Sequence, residues 1–390
     1  MSDILKENWQ ETKVALLEGL EGHKKSVMDV TLENTRKYLA EAATSGATSA
    51  GNVATLNRVI LPVIRRVMPT TIANEIVGVQ PMTGPVSQIH TLRVRYAETF
   101  DDVTAGDEAL SPFQIGLGYS GGGSTDKADA TAALEGNAGK KLSIQILKQA
   151  VEAKTRKLSA RWTFEAAQDA QAQQGIDIEA EIMAALAQEI TAEIDQEILA
   201  SLRSLASVEQ TYDQAAVSGT ATFVGDEHAA LAVQINRVAN LIAQRTRRGA
   251  GNFAVVSNQA LTILQSATTS AFARTTEGTF EGPTNTKFVG TLNNAMKVYV
   301  DAYLADSGQD ANQVLVGYKG SSEADAAAFY CPYIPLMSSG VVLDPSTFEP
   351  VVSFMTRYGY VELSNTASSL GNAGDYLGKV SITSANVSFS

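Results

Sequence analysis

The stretch from Asp177 to Leu205, DIEAEIMAALAQEITAEIDQEILASLRSL, is the clearest single element of the 390-residue chain. Ile182, Leu186, Ile190, Ile194, Ile198, Leu202 and Leu205 recur at steps of three and four, which lines one face of an α-helix with apolar side chains. Gly175 stops a short helix before it, and Asp177 is placed to cap the next. Glu179 and Glu181 sit in its first turn, where the helix dipole favours anions. At about 1.5 Å per residue this helix is roughly 43 Å long. That is well over the average, and it reads as the backbone of a flat subunit rather than a strut inside a core.

Upstream, Leu92, Val94 and Tyr96 alternate with Thr91, Arg93 and Arg95, the period of a strand. Its predicted partner is a second alternating run, in which Leu158, Ala160, Trp162 and Phe164 alternate with Lys157, Ser159, Arg161 and Thr163. The two flank about 60 residues rich in Gly, Ala, Asp and Thr, predicted to be a long projecting hairpin with a loosely ordered tip. Such an arm is expected to bury no core of its own and to pack on a neighbouring molecule. Further upstream, residues 1–43 read as a charged helix with Met28, Leu32, Thr35, Leu39 and Ala42 at heptad spacing. A small, polar linker follows from Thr44 to Gly51. Apolar pattern resumes at Val59-Ile60-Leu61-Pro62 and runs through Arg65-Arg66 to Pro69.

Downstream the pattern is mixed. A helix is predicted at Glu227–Arg245 and a strand at Asn252–Val256. A short helix from Gln259 and strands at Met296–Leu304 and Gln313–Tyr318 follow. Residues 220–340 thus read as a compact α+β domain. A last pair of strands, Pro350–Leu363 and Lys379–Phe389, is expected to return to the sheet beside the long helix.

Composition narrows the function. Acids outnumber bases by 42 to 30, for a formal net charge of -12, so nucleic acid is not expected as a gripped ligand. Only 18% of residues are charged, against roughly 25% in a typical soluble domain. Such a surface suits a subunit whose faces meet other subunits. The one cysteine, Cys331, excludes an intrachain disulfide, and no apolar run approaches a membrane span.

Catalytic motifs are not found. Gly116-Leu117-Gly118-Tyr119-Ser120-Gly121 matches the dinucleotide fingerprint in letters only, because Gly122-Gly123-Ser124-Thr125-Asp126 opens no helix on it. It reads as a flexible glycine tip. His23, His90 and His228 are isolated, with no paired metal-ligand spacing. Arg245-Thr246-Arg247-Arg248-Gly249 reads as a helix end, where cations complement the dipole. Arg65-Arg66 either clamps carboxylates across a subunit boundary or snorkels from an apolar helix. No catalytic, cofactor-binding or metal-binding residue is assigned.

Several stretches resemble the major capsid proteins of T4-like myoviruses. They are Val63-Ile64-Arg65-Arg66-Val67-Met68-Pro69, Gly78-Val79-Gln80-Pro81-Met82-Thr83-Gly84-Pro85, Glu152-Ala153-Lys154-Thr155-Arg156-Lys157-Leu158 and Ala166-Ala167-Gln168-Asp169. Further on come Gly249-Ala250-Gly251-Asn252-Phe253, Lys297-Val298-Tyr299-Val300-Asp301 and Val316-Gly317-Tyr318-Lys319-Gly320. Phe329-Tyr330-Cys331-Pro332-Tyr333 and Thr356-Arg357-Tyr358-Gly359 complete the set. They run in the family's order over about residues 59–363, and as a collinear series they are far more specific than any one alone.

The resemblance implies an α+β fold of the Hong Kong 97 capsid type. Residues 42–85 would be an N-terminal arm and 86–165 an extended β-hairpin loop. Residues 166–215 and 345–390 would form a peripheral domain with its spine helix, and 216–344 an axial domain. It implies self-assembly into hexamers and pentamers of an icosahedral or elongated virion head around DNA, built in the bacterial host cytoplasm. Scaffold, portal, maturation protease and decoration proteins would be partners, with no cofactor and no membrane. Arg65, Arg66, Arg93 and Arg95 are the candidate inter-subunit contacts. Relatives lose an N-terminal segment to a protease cutting after a Glu that has Leu or Ile two residues before it. Leu39-Ala40-Glu41-Ala42 fits that pattern, so residues 1–41 are a candidate propeptide whose helix would hold subunits together before removal. The chain departs from its relatives in having only Ala109–Gly139 where they carry a large insertion. Two rival expectations are an encapsulin-type compartment shell, which shares the fold, and a nucleotide-dependent enzyme, which rests on the glycine run alone.

Overall fold

The structure is a computed structural model. It describes residues 13–14, 17, 22–44, 72–100, 103–107, 109, 119–121, 131, 135, 139–174, 177–217, 224–246, 248–267, 272–274, 287–293, 295–301, 303–304, 313–322, 325–347, 349–364 and 372–384. In chain order its elements begin with helices α1 (Gly22–Thr44) and α2 (Ala73–Ile76). Strands β1 (Gly78–Val79), β2 (Val86–Tyr96), β3 (Leu142–Glu152) and β4 (Lys154–Arg161) come next. Helices α3 (Phe164–Gln174) and α4 (Ile178–Leu205) lead to β5 (Val208–Asp213), α5 (Gln214–Val217), α6 (Val224–Thr246), β6 (Phe253–Val256) and α7 (Asn258–Ser266). Strands β7 (Phe272–Arg274), β8 (Lys287–Leu292), β9 (Met296–Val300), β10 (Gln313–Gly317), β11 (Ala328–Ser338), β12 (Val342–Leu343) and β13 (Pro350–Glu362) follow. A 3-10 turn at Ala373–Tyr376 precedes β14 (Leu377–Ser384).

Two compact units divide the chain. One comprises Met1–Ser87, Ala150–Leu199 and Phe329–Val361 and is built on a five-stranded sheet, ordered β1-β11-β13-β12 with β4 also on β13. The expected stripe of α4 is there. Leu186, Ile190, Ile194, Ile198 and Leu202 are buried, joined by Met183 and Leu199, while Ile182 and Leu205 are half-buried. Asp177 Oδ1 accepts the Glu179 backbone N–H at 3.1 Å, which is the expected cap. One carboxylate, Asp195, stands within the apolar face. It is tolerated because its Oδ1 accepts the Ile72 N–H at 2.9 Å, where α2 begins. Arg156 of β4 holds α4 from the sheet side. Its guanidinium donates to Glu193 at 2.7 Å, to Glu197 at 2.6 Å and to the Tyr358 hydroxyl of β13 at 2.6 Å. Burial alone would raise the Glu197 carboxyl, but the hydrogen bonds from Tyr358 and Arg156 outweigh it and hold the group below the usual carboxylate range.

Helix α1 belongs to the same unit. Val27, Met28, Thr31, Leu32 and Asn34 are buried on one face, with Met28 at 2% and Leu32 at 1% exposure. Asn34 Nδ2 donates to the backbone carbonyls of Met82 at 2.6 Å and Tyr333 at 3.1 Å. His23 Nε2 lies 2.6 Å from the Val79 carbonyl, and Lys24 pairs with Glu75 at 3.0 Å.

The other unit comprises Gln88–Gln149, Ala200–Ala328 and Glu362–Ser390. Its seven-stranded sheet has the order β5-β14-β10-β6-β9-β8-β7. Leu231, Ile235, Val238 and Ile242 of α6 and Ile263 and Leu264 of α7 share one core with Val256, Val298, Val314, Val316 and Val380 of the strands. Arg203 forms an ion pair with the fully buried Asp301, whose second oxygen accepts the Tyr303 N–H at 3.1 Å. The basic cluster ending α6 is a helix end, as read. Arg245 pairs with Glu209 at 2.6 Å and Arg248 with Asp325 at 2.7 Å.

Three expectations are corrected. Strand β2 pairs with β3, not with Lys157–Phe164, and β4 lies instead on β13 with Leu158 opposite Phe354 and Ala160 opposite Val352. Both runs alternate, and alternation carries a strand's face but not its partner. Strand β14 does not join the sheet beside α4. It pairs with β10 and β5 in the seven-stranded sheet, where Val380 and Ile382 fill the core. Third, the hairpin end does bury a small core, formed by Tyr96, Val103, Ala109 and Tyr119 with Val94 and Phe100 against it. Tyr96 and Tyr119 meet edge to face at 4.7 Å, Tyr119 donates to the Lys141 carbonyl at 2.7 Å, and the Lys140 ammonium sits over the Phe100 ring.

Two substitutions test this framework. Ile190→Asp places an unpartnered carboxylate under α4 and is expected to cost about 4 kcal/mol, read as loss of soluble, cooperatively melting protein. Arg203→Met leaves the Asp301 carboxylate buried without its guanidinium, and denaturant unfolding should show a loss of about 3 kcal/mol. Unchanged midpoints would show that neither group stabilises the unit in which it lies.

Candidate assembly surfaces

Leu142, Ile144 and Ile146 alternate along β3, and all three are exposed, Ile144 at 67%. Val86 on β2 is exposed as well. A two-stranded ribbon is marginal in water, and a row of large exposed aliphatics marks a surface that meets another protein. A second such row is Val341, Val342 and Leu343, following the turn at Gly340, whose φ of 70° suits glycine.

The residues singled out from sequence fall in different places. Arg65 and Arg66 lie outside the described residues, as do Gly116–Gly118 of the glycine run, of which Tyr119, Ser120 and Gly121 are described. Arg93 is a residue of β2, and its side chain lies outside the description. Arg95 is described, lies on β2 and is 7% exposed. Leu39, Glu41 and Ala42 belong to the final turns of α1, with side chains outside the description. Of these four arginines only Arg95 has a described side chain.

The polar groups that remain are structural in setting. His90 is exposed on β2, and His228 is buried with Nδ1 2.5 Å from Ser266 Oγ, burial lowering its pKa against the pull of Glu227. Cys331 is buried, which pushes its thiol up to about 12 and keeps it protonated. Among the described residues no cluster of three His, Cys, Asp or Glu could hold a metal, and no helix is long and apolar enough to cross a membrane. Sequence reading missed Asn34, Arg156, Asp195 and Arg203, single polar residues whose partners lie far along the chain.

The stretches that carry the sequence resemblance meet one another within each unit. Gly78 and Val79 pair in parallel with Phe329 and Tyr330, and Gln80 and Met82 extend the ladder by donating to Tyr330 and Pro332 at 3.0 Å each. Arg156 and Lys157 lie opposite Thr356 and Met355. Gly359 sits against Val151, Glu152 and Met82, where a Cβ would collide. In the other unit Asn252 clasps Lys319, accepting its N–H at 3.0 Å and donating to its carbonyl at 2.5 Å. Gly317 lies beneath the Phe253 ring, and Phe253 to Val256 pair in parallel with Lys297 to Val300. Among the described residues, seven of these stretches are thus one side of a contact whose other side is another such stretch.

Comparison with known proteins gives this arrangement a family. A family model for major capsid protein Gp23 matches residues 53–134 and 101–382. The major capsid protein of Vibrio phage KVP40 is 30% identical over 430 aligned residues, covering 86% of this chain and 81% of that one. That of Enterobacteria phage T4 is 30% identical over 419, covering 83% of this chain and 78% of its own. Among solved structures, the asymmetric unit of the bacteriophage PhiM1 mature capsid is similar over 80% of this chain and 86% of that chain, at 12% identity and a TM-score of 0.44. These relatives are phage shell proteins, and an encapsulin reading is not favoured. With the family model and these relatives each spanning most of the chain, the protein belongs to the Gp23 family of phage major capsid proteins.

Proposed function

We propose that this chain is the repeating subunit of a phage head, joining copies of itself into hexamers and pentamers that enclose double-stranded DNA. The observation that carries this reading is the exposed row Leu142, Ile144 and Ile146 on a hairpin, an apolar surface that only a neighbouring molecule can cover. The charge balance supports the same role. A wall of net charge -12 confines DNA without gripping its phosphates, so the genome can leave again. Assembly takes place in the host cytoplasm with scaffold, portal, maturation protease and decoration proteins.

On this reading the hairpin is the extended loop, the unit containing most of α4 is the peripheral domain, and the seven-stranded sheet is the axial domain, to which β14 is transferred. Arg65, Arg66 and Arg93 pair with carboxylates of neighbours, while Arg95 stiffens the hairpin from within. The maturation protease cuts between Glu41 and Ala42. Since α1 runs to Thr44, its final turn must fray to enter a protease cleft, and helix ends are where fraying occurs.

Ile144→Asp tests the assembly surface directly. Because Ile144 is exposed in the subunit, the variant's unfolding free energy should stay within about 0.5 kcal/mol of wild type. Shell yield in sedimentation should nevertheless fall at least tenfold, and normal yield would remove this surface from the interface. Intact mass spectrometry of mature virions tests processing. The expected chain begins at Ala42, and Glu41→Gln should leave residues 1–41 attached and heads unexpanded.

A further inference from the structure

We infer that α1 is a detachable cover seated in a docking groove of its own subunit, so that residues 22–41 serve as an internal ligand that keeps the β1–β11 region closed until release. Heptad spacing pointed to a seam between subunits, but Val27, Met28, Thr31 and Leu32 are already buried within the chain. That face is therefore not available to a neighbour while α1 is seated.

The manner of attachment is that of a bound peptide. No strand of either sheet lies within α1, so its departure breaks no ladder. Among its described long-range polar contacts are those to the backbone carbonyls of Val79, Met82 and Tyr333 and to one half-exposed carboxylate, Glu75. A surface that presents carbonyls to a helix carrying a buried Asn34 and, on its exposed first turn, His23 recognises that pattern of donors. The preceding segment adds Lys13, whose ammonium pairs with Asp29 of α1 itself at 2.6 Å and so moves with it.

The release step rests on the proposed cut after Glu41, whereas the groove does not. Cutting there leaves the buried face, Val27 to Asn34, on the departing fragment. The bared surface would include Val79 and Met82, both buried now, and their uncovered carbonyls. A free subunit bared in this way would aggregate, so cover and cut together confine the exposed groove to subunits already in a shell.

The test uses the purified full chain with a sequence-specific protease site inserted after Glu41. After cutting, fragment 1–41 should co-elute with the remainder in size-exclusion chromatography at micromolar concentration and separate on hundredfold dilution. Separation should lower the melting temperature of the remainder by about 5 °C or more. Met28→Asp, placed in the same cut protein, should release the fragment without dilution. Immediate loss of the wild-type fragment with an unchanged melting temperature would overturn the proposal. So would a fragment that stays bound at nanomolar concentration, because α1 would then be a permanent part of the core. Neither result depends on whether virions carry the natural cut, which mass spectrometry reads separately.

Discussion

Leu186, Ile190, Ile194 and Ile198 stand on successive turns of α4, and taking each out of water contributes roughly 1.5–3 kcal/mol. Everything packed near that stripe must leave it dry, yet the helix also carries Asp195, Glu193 and Glu197 on or beside it. The structure answers with specific donors. The Ile72 N–H meets Asp195, and the Arg156 guanidinium meets Glu193 and Glu197 together. A carboxylate on a buried helix face is tolerable only with such a partner, so α2 and β4 are held where those donors are needed. The position of β4 in turn aligns β13, since Leu158 lies opposite Phe354.

What could be read from sequence followed from how local the signal was. The stripe of α4 and its Asp177 cap need only neighbours three or four residues away, and both stand as read. Strand partners need information from a hundred residues away or more. Lys157–Phe164 was the expected partner of β2 and Leu142–Glu152 is the actual one, because period two marks a strand and nothing in it names the mate. The hairpin core was invisible for another reason. Tyr96, Val103, Ala109 and Tyr119 are spaced without period, and Tyr119 sits inside a glycine run. Heptad spacing in α1 correctly marked an apolar face at Met28 and Leu32 but not that the face is covered within the chain. Of the candidate contact residues, Arg95 shows the limit most plainly. Alternation put it on a strand face, and only the fold shows its side chain to be buried.

The collinear family stretches acquire a physical meaning in the same way. Gly317 accommodates the Phe253 ring, Gly359 accommodates Val151, and Asn252 satisfies both backbone groups of Lys319. These positions tolerate little change because a second stretch, distant in sequence, fills the space next to each.

The pairing of β1 with β11 also sets a clock on synthesis. Gly78 must wait for Phe329, some 250 residues later, which at the 5–20 residues per second of a ribosome is roughly 12–50 s. Asn34 waits longer still, since one of its acceptors is the carbonyl of Tyr333. Throughout that interval Met28 and Leu32 travel on a nascent chain that offers only the early part of their surroundings, Glu75, Val79 and Met82. A polysome carrying many such chains would hold their apolar helices at high local concentration. The subunit's most vulnerable moment therefore comes before it is complete, and how fast its last third is translated bears on how much of it survives to assemble.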